Sequence, residues 1–342
     1  MSEKRVDDFL RGNGYLPTIS VNANSIAEGW HKAVLGCYEQ GLRIETPKQR
    51  DGMPLGFDAH ITVNVRDPLS DPQKHVYGIH DDDRGLMQYK LEVSHGIHDG
   101  WKKDPNNPND TRWGYTYHER FSDQIPFLLQ KIFNDFEKKG RATGRDYFFS
   151  IWRPEEDSIL EQEDPPCFQN GQFRLIPDSK GELHLSYLTH WRSRDLMKAW
   201  NENNVAQAEL HQLVAQKISN RLERKVSVRN YIDTSNSLHI YGAYLKELEP
   251  MIEKMKGMDI ENIGFPLFTT DEKELKRLIS AQSDARTKGH GTNLPESALE
   301  KLGYDLKDYP YPTEWDTWPD SWNDENPDPA KLRMKLISQP IA

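Results

Sequence analysis

The sequence predicts an α+β fold, a mixed or antiparallel sheet packed with helices. Three observations carry that expectation. Some segments repeat apolar residues at three- and four-residue steps while others alternate them, so both helices and strands are present. The two kinds are interspersed without strict βαβ alternation, which disfavours an all-parallel sheet. A chain of 342 residues is long enough to bury roughly 75% of its extended-chain surface around one core.

Taken in order, Ser25 to Gln40 is helical: Ile26, Trp30, Ala33, Val34 and Cys37 share one stripe, and Ser25 with Glu28 forms a capping box. Ala59 to Val65 alternates Ile61, Val63 and Val65 as a half-buried strand does. Residues 99–113 are rich in Asp, Asn and Pro and form a loop. Ser122 to Lys139 is a second helix, stopped by Gly140. Tyr147 to Trp152 reads as a buried strand, and an acidic loop after it ends in Pro165-Pro166-Cys167. Gln172–Ile176 and Leu183–Thr189 flank the turn Asp178–Glu182 as a hairpin. A long helix from Leu196 to Leu222 follows, then strand pieces at Val226–Val228 and Leu238–Tyr241 and helices near 243–256 and 271–283.

Residues 309–330 differ, with five prolines, three tryptophans and six acidic residues. Such a stretch forms neither a helix nor an inner strand. It either wraps the surface with Trp315, Trp318 and Trp322 as anchors or acts as a closing segment. The expected division is a catalytic domain over 1–308 and a Trp/Pro-rich tail over 309–342.

Composition narrows the function. Lys and Arg total 44 against 54 Asp and Glu, a net charge of −10, so general capture of a nucleic-acid backbone is not expected. Any anionic ligand needs a few placed arginines. The aromatic share of 10% argues against disorder. The first residues lack a signal-peptide pattern, and no apolar run reaches the ~20 residues of a membrane span. Two cysteines, Cys37 and Cys167, exclude a disulfide framework and suit a reducing compartment. The expectation is a cytoplasmic protein.

Cys37 lies on a helix stripe and reads as core. Cys167 follows two prolines that fix a rigid approach, the kind of loop on which nucleophiles are presented. If the hairpin brings Arg192-Ser193-Arg194-Asp195 beside it, a guanidinium would favour the thiolate. Arg192 and Arg194 both suit phosphate oxygens. The plain alternative is a charged surface patch at a strand end. His95 and His98 could be two metal ligands, but no third is evident, and no metal is expected. No glycine loop carries the lysine of a phosphate cradle.

These residues, in this order, resemble the thymidylate synthase family: Pro165-Pro166-Cys167, Gln172-Phe173, Arg192-Ser193-x-Asp195, Asn203 and His239-Ile240-Tyr241. Asp123-Gln124-Ile125, Ser150-Ile-Trp152-x-Pro154 and Tyr115-Thr-Tyr117-His-Glu-Arg120 fit upstream. Ala27-x-x-Trp30 and Thr62 to Pro68 are more similar to the archaeal and phage-type branch. The resemblance spans about residues 20–245.

The resemblance implies a thymidylate synthase-like fold that dimerises through a sheet face. It also implies one-carbon transfer from 5,10-methylenetetrahydrofolate to C5 of deoxyuridine monophosphate (dUMP), through covalent catalysis. Cys167 would be the nucleophile. Arg192 would bind phosphate and hold the thiolate, with Ser193 adding a hydrogen bond. Asn203 would read the uracil edge, with Asn204 as the fallback. His239 and Tyr241 would hold the 3′-hydroxyl, Tyr117 would join the proton-removal network, and Asp195 would lie near pterin and base. Arg145 would reach the phosphate in the partner subunit. Glu92 would activate the one-carbon unit and relay protons, and Trp101 and His98 would line the folate.

The chain departs from the family pattern at Phe168, Trp191, Asp146 and His98, mostly on the folate side. Those departures keep a dUMP hydroxymethylase open, in which water ends the reaction instead of hydride. A non-catalytic nucleotide-binding paralogue and a thiol hydrolase pairing Cys167 with His190 or His239 remain further alternatives. The last residues, Ser338 to Ala342, resemble the short carboxyl terminus that folds over bound ligands in the family.

Overall fold

The computed structural model describes residues 14–45, 53–104, 106–107, 109–110, 112–159, 164–290, 294–307, 309–330 and 332. In chain order β1 (Thr18–Ala23) leads to α1 (Ile26–Gln40), β2 (Leu42–Ile44), β3 (Gly56–Val65), β4 (Lys74–His75) and α2 (Asp83–His95). Next come α3 (Tyr117–Phe121), α4 (Ile125–Lys139), β5 (Phe148–Ser150), α5 (Pro154–Asp157), β6 (Phe168–Pro177), β7 (Leu183–Trp191) and β8 (Arg194–Asp195). The remainder is α6 (Ala199–Leu222), β9 (Val226–Ile240), α7 (Leu245–Lys256), β10 (Gly264–Phe265), α8 (Glu272–Thr287) and α9 (Glu296–Lys301). The main sheet runs β1-β3-β9-β7-β6-β5, with β2 added beside β3 and β8 beside β9. The β1/β3, β7/β9 and β8/β9 pairs are parallel and the others in this sheet antiparallel. It is a mixed sheet in an α+β fold, as expected.

One sheet face carries the apolar alternation, including Ile19, Val21, Ile61, Val63 and Val65, and is buried under the helices. Period-2 strands with one covered face put such residues inside and their neighbours outside. The opposite face holds a polar ladder: Thr62 meets Thr234 at 3.2 Å, Asn64 bonds Asn22 and Asn230, and Ser186 bonds Asn230. Helix α6 is central. Its Ala206, Leu210, Leu213, Val214 and Ile218 pack into the core half built on α4 and β5–β7. Its Trp200, Val205 and Ala208 pack into the half built on α1, β1, β3 and α7. A helix buried nearly all round belongs at the centre of a fold. The polar groups it buries are bonded in turn: Asn201 donates to Gln73 O, Gln207 accepts from Tyr187 and His211 meets Leu185 O.

Two elements differ from expectation. The strand pieces at 226–228 and 238–241 are one strand, β9, of 15 residues. The polar run between them reads as loop, yet Asp233 and Ser235 are fully buried on its covered face. Helix α2 has no counterpart in the sequence reading. Asp82 caps it by accepting from Gly85 N at 2.8 Å, and Leu86, Met87, Leu91 and Val93 give its buried face. It ends at Gly96, φ +66°, where a Cβ would lie 2.1 Å from His118 Nδ1, so glycine is required.

Residues 309–330 wrap the surface. Trp322 is buried against the α4 side of the core, Trp318 packs beside it, and Trp315 packs on α2 and α8. Ser338 to Ala342 lies outside the described residues. Among the described residues, no helix is long and apolar enough to cross a membrane.

Candidate active site

The site forms where the segment before β6 meets the end of β7. Arg192 grips that segment three times: its backbone N donates to Cys167 O at 2.8 Å, its Nε to Pro166 O at 3.0 Å and its Nη2 to Pro165 O at 2.6 Å. Two successive prolines stiffen the approach, and Gln169 Nε2 also bonds Pro166 O at 2.8 Å. A register shift between Phe168 and Asn170 lets the strand start turn aside, as bulges beside sites do. Phe168 stacks on Trp191 at 4.5 Å, and both are fully buried. Cys167 is thereby fixed, half-buried, at the end of the segment whose Pro165 and Pro166 carbonyls the Arg192 guanidinium holds. Cys37 is fully buried instead, and burial pushes its thiol up.

Tyr117 stands edge-on to Phe168 and to Trp191, 5.7 Å from each. Burial, the Tyr115 and Tyr89 hydroxyls and the Cys167 sulfur push its hydroxyl well up. Tyr115, 6.0 Å away, is pushed up by burial and by Cys167, against the pull of Arg192 and Arg120. Arg120 lies over the Tyr115 ring at 5.2 Å and is itself buried, paired with Glu156 at 2.9 Å and Asp157 at 3.2 Å. Tyr115 was not singled out by the sequence, although it stands in the same Tyr-x-Tyr motif as Tyr117.

The two arginines separate. Arg194, 3% exposed, is bonded to Asp233, to Ser235 at 2.9 Å and to Asn204 at 3.4 Å, over the Trp191 ring at 4.2 Å. Trp200 Nε1 also donates to Asp233, at 2.9 Å. Arg194 is thus part of the scaffold beneath the site, a correction to its expected fitness for phosphate. Asn204 belongs to the same interior network, accepting from Tyr231 at 2.9 Å. Asn203 faces the other way, and its Nδ2 donates to the Tyr89 hydroxyl at 2.6 Å.

The structure brings Tyr89, not Glu92, to Asn203. Glu92 accepts from His98 Nδ1 at 2.6 Å and from Gln88 at 3.0 Å. Burial, with the carboxylates of Glu92 and Glu202 nearby, pushes the Tyr89 hydroxyl up. His98 lies 5.7 Å from Trp101, and the guanidiniums of Arg112 and Arg286 lie 5.6 and 5.1 Å from the indole. Trp101 is 36% exposed. A partly open aromatic face with flanking cations fits a flat ring bearing an anionic tail.

Asp195 accepts from Met197 N at 2.8 Å, Lys198 N at 3.2 Å and Tyr244 Oη at 2.9 Å. Its backbone pairs in parallel with His239, which stands edge-on to Tyr241 at 4.6 Å. Burial, Asp195 and Cys167 push the Tyr241 hydroxyl up. Ser193 is half-buried next to Arg192. Arg145 is exposed by the edge strand β5, its carbonyl accepting from Gln172 at 2.5 Å. His190 meets Asn236 at 2.9 Å on the polar face. His95 meets Thr317 O at 2.7 Å while His98 meets Glu92, so these two histidines do not converge as ligands. Among the described residues, the group able to hold a metal is Asp178, Glu182 and His184 at the β6–β7 turn.

A half-buried cysteine on a segment held by an arginine, with buried phenols, an amide and carboxyls, is a set of groups able to support covalent addition to an electron-poor ring. The family model for thymidylate synthase matches residues 88–280. A protein of Methanothermobacter thermautotrophicus named "Putative thymidylate synthase" is 27% identical over 247 residues, covering 68% of this chain and 98% of its own. One of the same name from Methanothermobacter marburgensis is 26% identical over 243 residues, covering 68% and 97%. Thermostable thymidylate synthase A from Bacillus subtilis aligns in structure with a TM-score of 0.45 and 16% identity, over 67% of this chain and 84% of that one. The family model spans more than half of the sequence and includes every site residue from Glu92 to Tyr241, so the chain belongs to the thymidylate synthase family.

Proposed function

We propose that the protein is a thymidylate synthase, acting on dUMP with 5,10-methylenetetrahydrofolate. The observation that carries this is the three-point grip of Arg192 on Pro165-Pro166-Cys167, within a chain of this family. The thiolate of Cys167 adds to C6 of the uracil, and the ring's electron pair moves toward O4, making C5 nucleophilic. Arg192 and Ser193 bind the phosphate, joined by Arg145 of the partner subunit. Asn203 offers both donor and acceptor to the uracil edge. His239 and Tyr241 hold the 3′-hydroxyl, and Tyr117 belongs to the proton-removal network. The reduced folate supplies the one-carbon unit and, at the end, hydride. Trp101, His98, Glu92 and Asp195 form its side of the site.

The polar sheet face is the proposed contact with a second copy, where the exposed Phe148 and Ile176 add apolar area near the edge strands. Residues 309–342 are a tail on a catalytic domain of 1–308. A cytoplasmic location belongs to this reading.

The test is C5-tritiated dUMP with methylenetetrahydrofolate, following tritium release, dihydrofolate absorbance and product mass. Release with dihydrofolate and a methyl product is the expected outcome, and Cys167→Ala abolishes it while dUMP binding persists. Release that survives Cys167→Ala would refute the covalent mechanism. A second reading, dUMP hydroxymethylase, draws support from the 2.6 Å contact of His98 with Glu92, which gives the folate side a polar, water-compatible character. It is recognised by a hydroxymethyl product without dihydrofolate. Binding without any release points to a nucleotide-binding paralogue.

A further inference from the structure

We propose that Asp178, Glu182 and His184, at the β6–β7 turn, form a binding site for one divalent transition-metal ion of the zinc type. Strand β6 starts beside Cys167 and runs 10 residues to this turn, about 30 Å at roughly 3.3 Å per residue. The site therefore stands apart from the one described above and does not depend on the function proposed for it. The strand period brings the three side chains together. His184 is paired with Ile176 across the hairpin. Asp178 lies two residues beyond Ile176 and Glu182 two before His184, so all three belong to one side of it. One ligand atom from each lies within 4.8 Å of the other two.

The turn shapes this group before any ion arrives. Asp178 Oδ1 accepts from Lys180 N at 2.8 Å and Glu182 N at 2.9 Å, and Asp178 N donates to Glu182 O at 2.9 Å. Gly181, at φ +80°, completes the loop. Oδ2 is left to face His184 Nε2, at 3.4 Å. Against burial, the Glu182 and Lys180 N–H groups and His184 hold the Asp178 carboxyl below its usual range. Of the cations at this turn, Arg224 is spent on Gly181 O at 2.9 Å, and Lys180 is exposed.

His184 separates this group from an ordinary acidic turn. It is 8% exposed, set between Ile176 and Ser227 of the neighbouring strands. Its Nδ1 is enclosed and has no hydrogen-bond partner among the described residues, so the ring's polar contact is the one with the turn. The 3.4 Å spacing is longer than the roughly 2.8 Å of a charge-assisted hydrogen bond. It matches the about 3.3 Å between two donors that each sit ~2.0 Å from a tetrahedral zinc. Glu182 is exposed and closes the third side by side-chain rotation, which leaves the fourth position to water. An imidazole with two carboxylates selects zinc and its first-row neighbours over magnesium and calcium. The bound ion ties the turn to β7 and so clamps the hairpin.

The test is cobalt(II) titration of the full chain after treatment with a chelator, followed by visible absorption and by zinc competition. Wild type, Cys167→Ala, Asp178→Asn and Glu182→Gln are compared, with metal-free thermal melting as the check on folding. Asp178→Asn keeps an oxygen for the two N–H groups, and Glu182→Gln alters an exposed side chain, so both should fold. Wild type and Cys167→Ala should take up one equivalent with the strong bands of four-coordinate cobalt. Zinc should displace it, and magnesium in a hundredfold excess should not. Each carboxylate variant should raise the Kd at least tenfold. Uptake unchanged in either variant, lost in Cys167→Ala or reversed by magnesium overturns the proposal, as does a wild-type Kd above about 1 mM. None of these readings involves dUMP turnover, so failure here leaves the synthase reading untouched.

Discussion

At the scale of the residue, Arg192 does two jobs with one guanidinium. It holds the carbonyls of Pro165 and Pro166, and in the proposed function it also meets the phosphate and favours the thiolate. Lysine would keep the charge but lose the forked geometry. Arg192→Lys is therefore expected to raise the dUMP Kd by about tenfold to a hundredfold, the worth of a charge-assisted bond. Alkylation of Cys167 by iodoacetamide should also slow at neutral pH. An unchanged Kd would count against the phosphate role. The rigid approach to Cys167 was legible because Pro-Pro-Cys is a local signal. The choice of Arg192 over Arg194, and of Asn203 over Asn204, came from the family resemblance and not from the local pattern. Arg192 and Arg194 would share a face of a regular strand, but β7 ends at Trp191 and β8 begins at Arg194, while Asn203 and Asn204 are turned by about 100° from one another on their helix. Only packing shows which neighbour faces Asp233 and which faces the pocket.

Among the elements, α2 shows what patterns in the chain conceal. Its apolar residues are few and its flanks polar, so Tyr89 could not be set on the face that meets α6, and Glu92 drew attention instead. The long strand β9 was hidden for a related reason: its buried Asp233 and Ser235 serve Arg194, a partner 39 residues away from Asp233. Buried histidines give these elements a pH signature. His75 Nδ1 accepts from Tyr77 N, and its Nε2 lies 3.0 Å from His31 Nδ1. Burial depresses His75 to about 3 and His211 to about 4, and lowers His31, His80 and His95.

 Above pH 6.5 both the folded and unfolded states hold these rings neutral. Below it the unfolded chain takes protons that the folded one refuses, so stability falls as pH drops from about 6.5 toward 4. Each such histidine contributes up to about 1.4 kcal/mol per pH unit. Glu202 works in the opposite sense, because burial raises it to about 7 and lets the folded state bind a proton first, and it offsets about one histidine between pH 7 and 4.5. Urea unfolding at pH 7, 6 and 5 should show a net loss, and a flat profile would contradict the buried neutral rings.

The tail is the last element with an energetic consequence. Lys217 Nζ bonds Asn323 at 2.7 Å and lies 4.8 Å from the Trp318 ring, while Lys276 bonds Trp315 O and Asp316. These are surface ties, and Trp322, 1% exposed, is the buried anchor. Trp322→Ala is expected to cost about 3–5 kcal/mol and to open residues 309–330 to limited proteolysis. A loss under about 1 kcal/mol would mean that the strap adds little to the core.

For the whole molecule, the testable matter is the second copy. If Arg145 serves the partner's site, a mixture of Cys167→Ser and Arg145→Ala chains regains activity that neither has alone. In a mixed dimer one site has its own Cys167 and the partner's Arg145. With random pairing about a quarter of all sites are restored. No recovery, with mixed dimers verified by mass, would refute sharing. At this scale the fold class was legible from interspersed helices and strands. The strand order was not, because parallel pairing of β7 with β9 depends on where the intervening α6 carries the chain.

That same helix has a consequence beyond the pocket. Because α6 is wedged between both halves of the core and carries Asn203, proposed to read the base, near one end, it would act as a common axle. A repacking on either side turns or slides it and so re-aims the groups that meet the base. A random-mutagenesis screen for altered pyrimidine preference should therefore return positions deep in both core halves, such as those around Leu213 or Trp30, as well as the rim of the site.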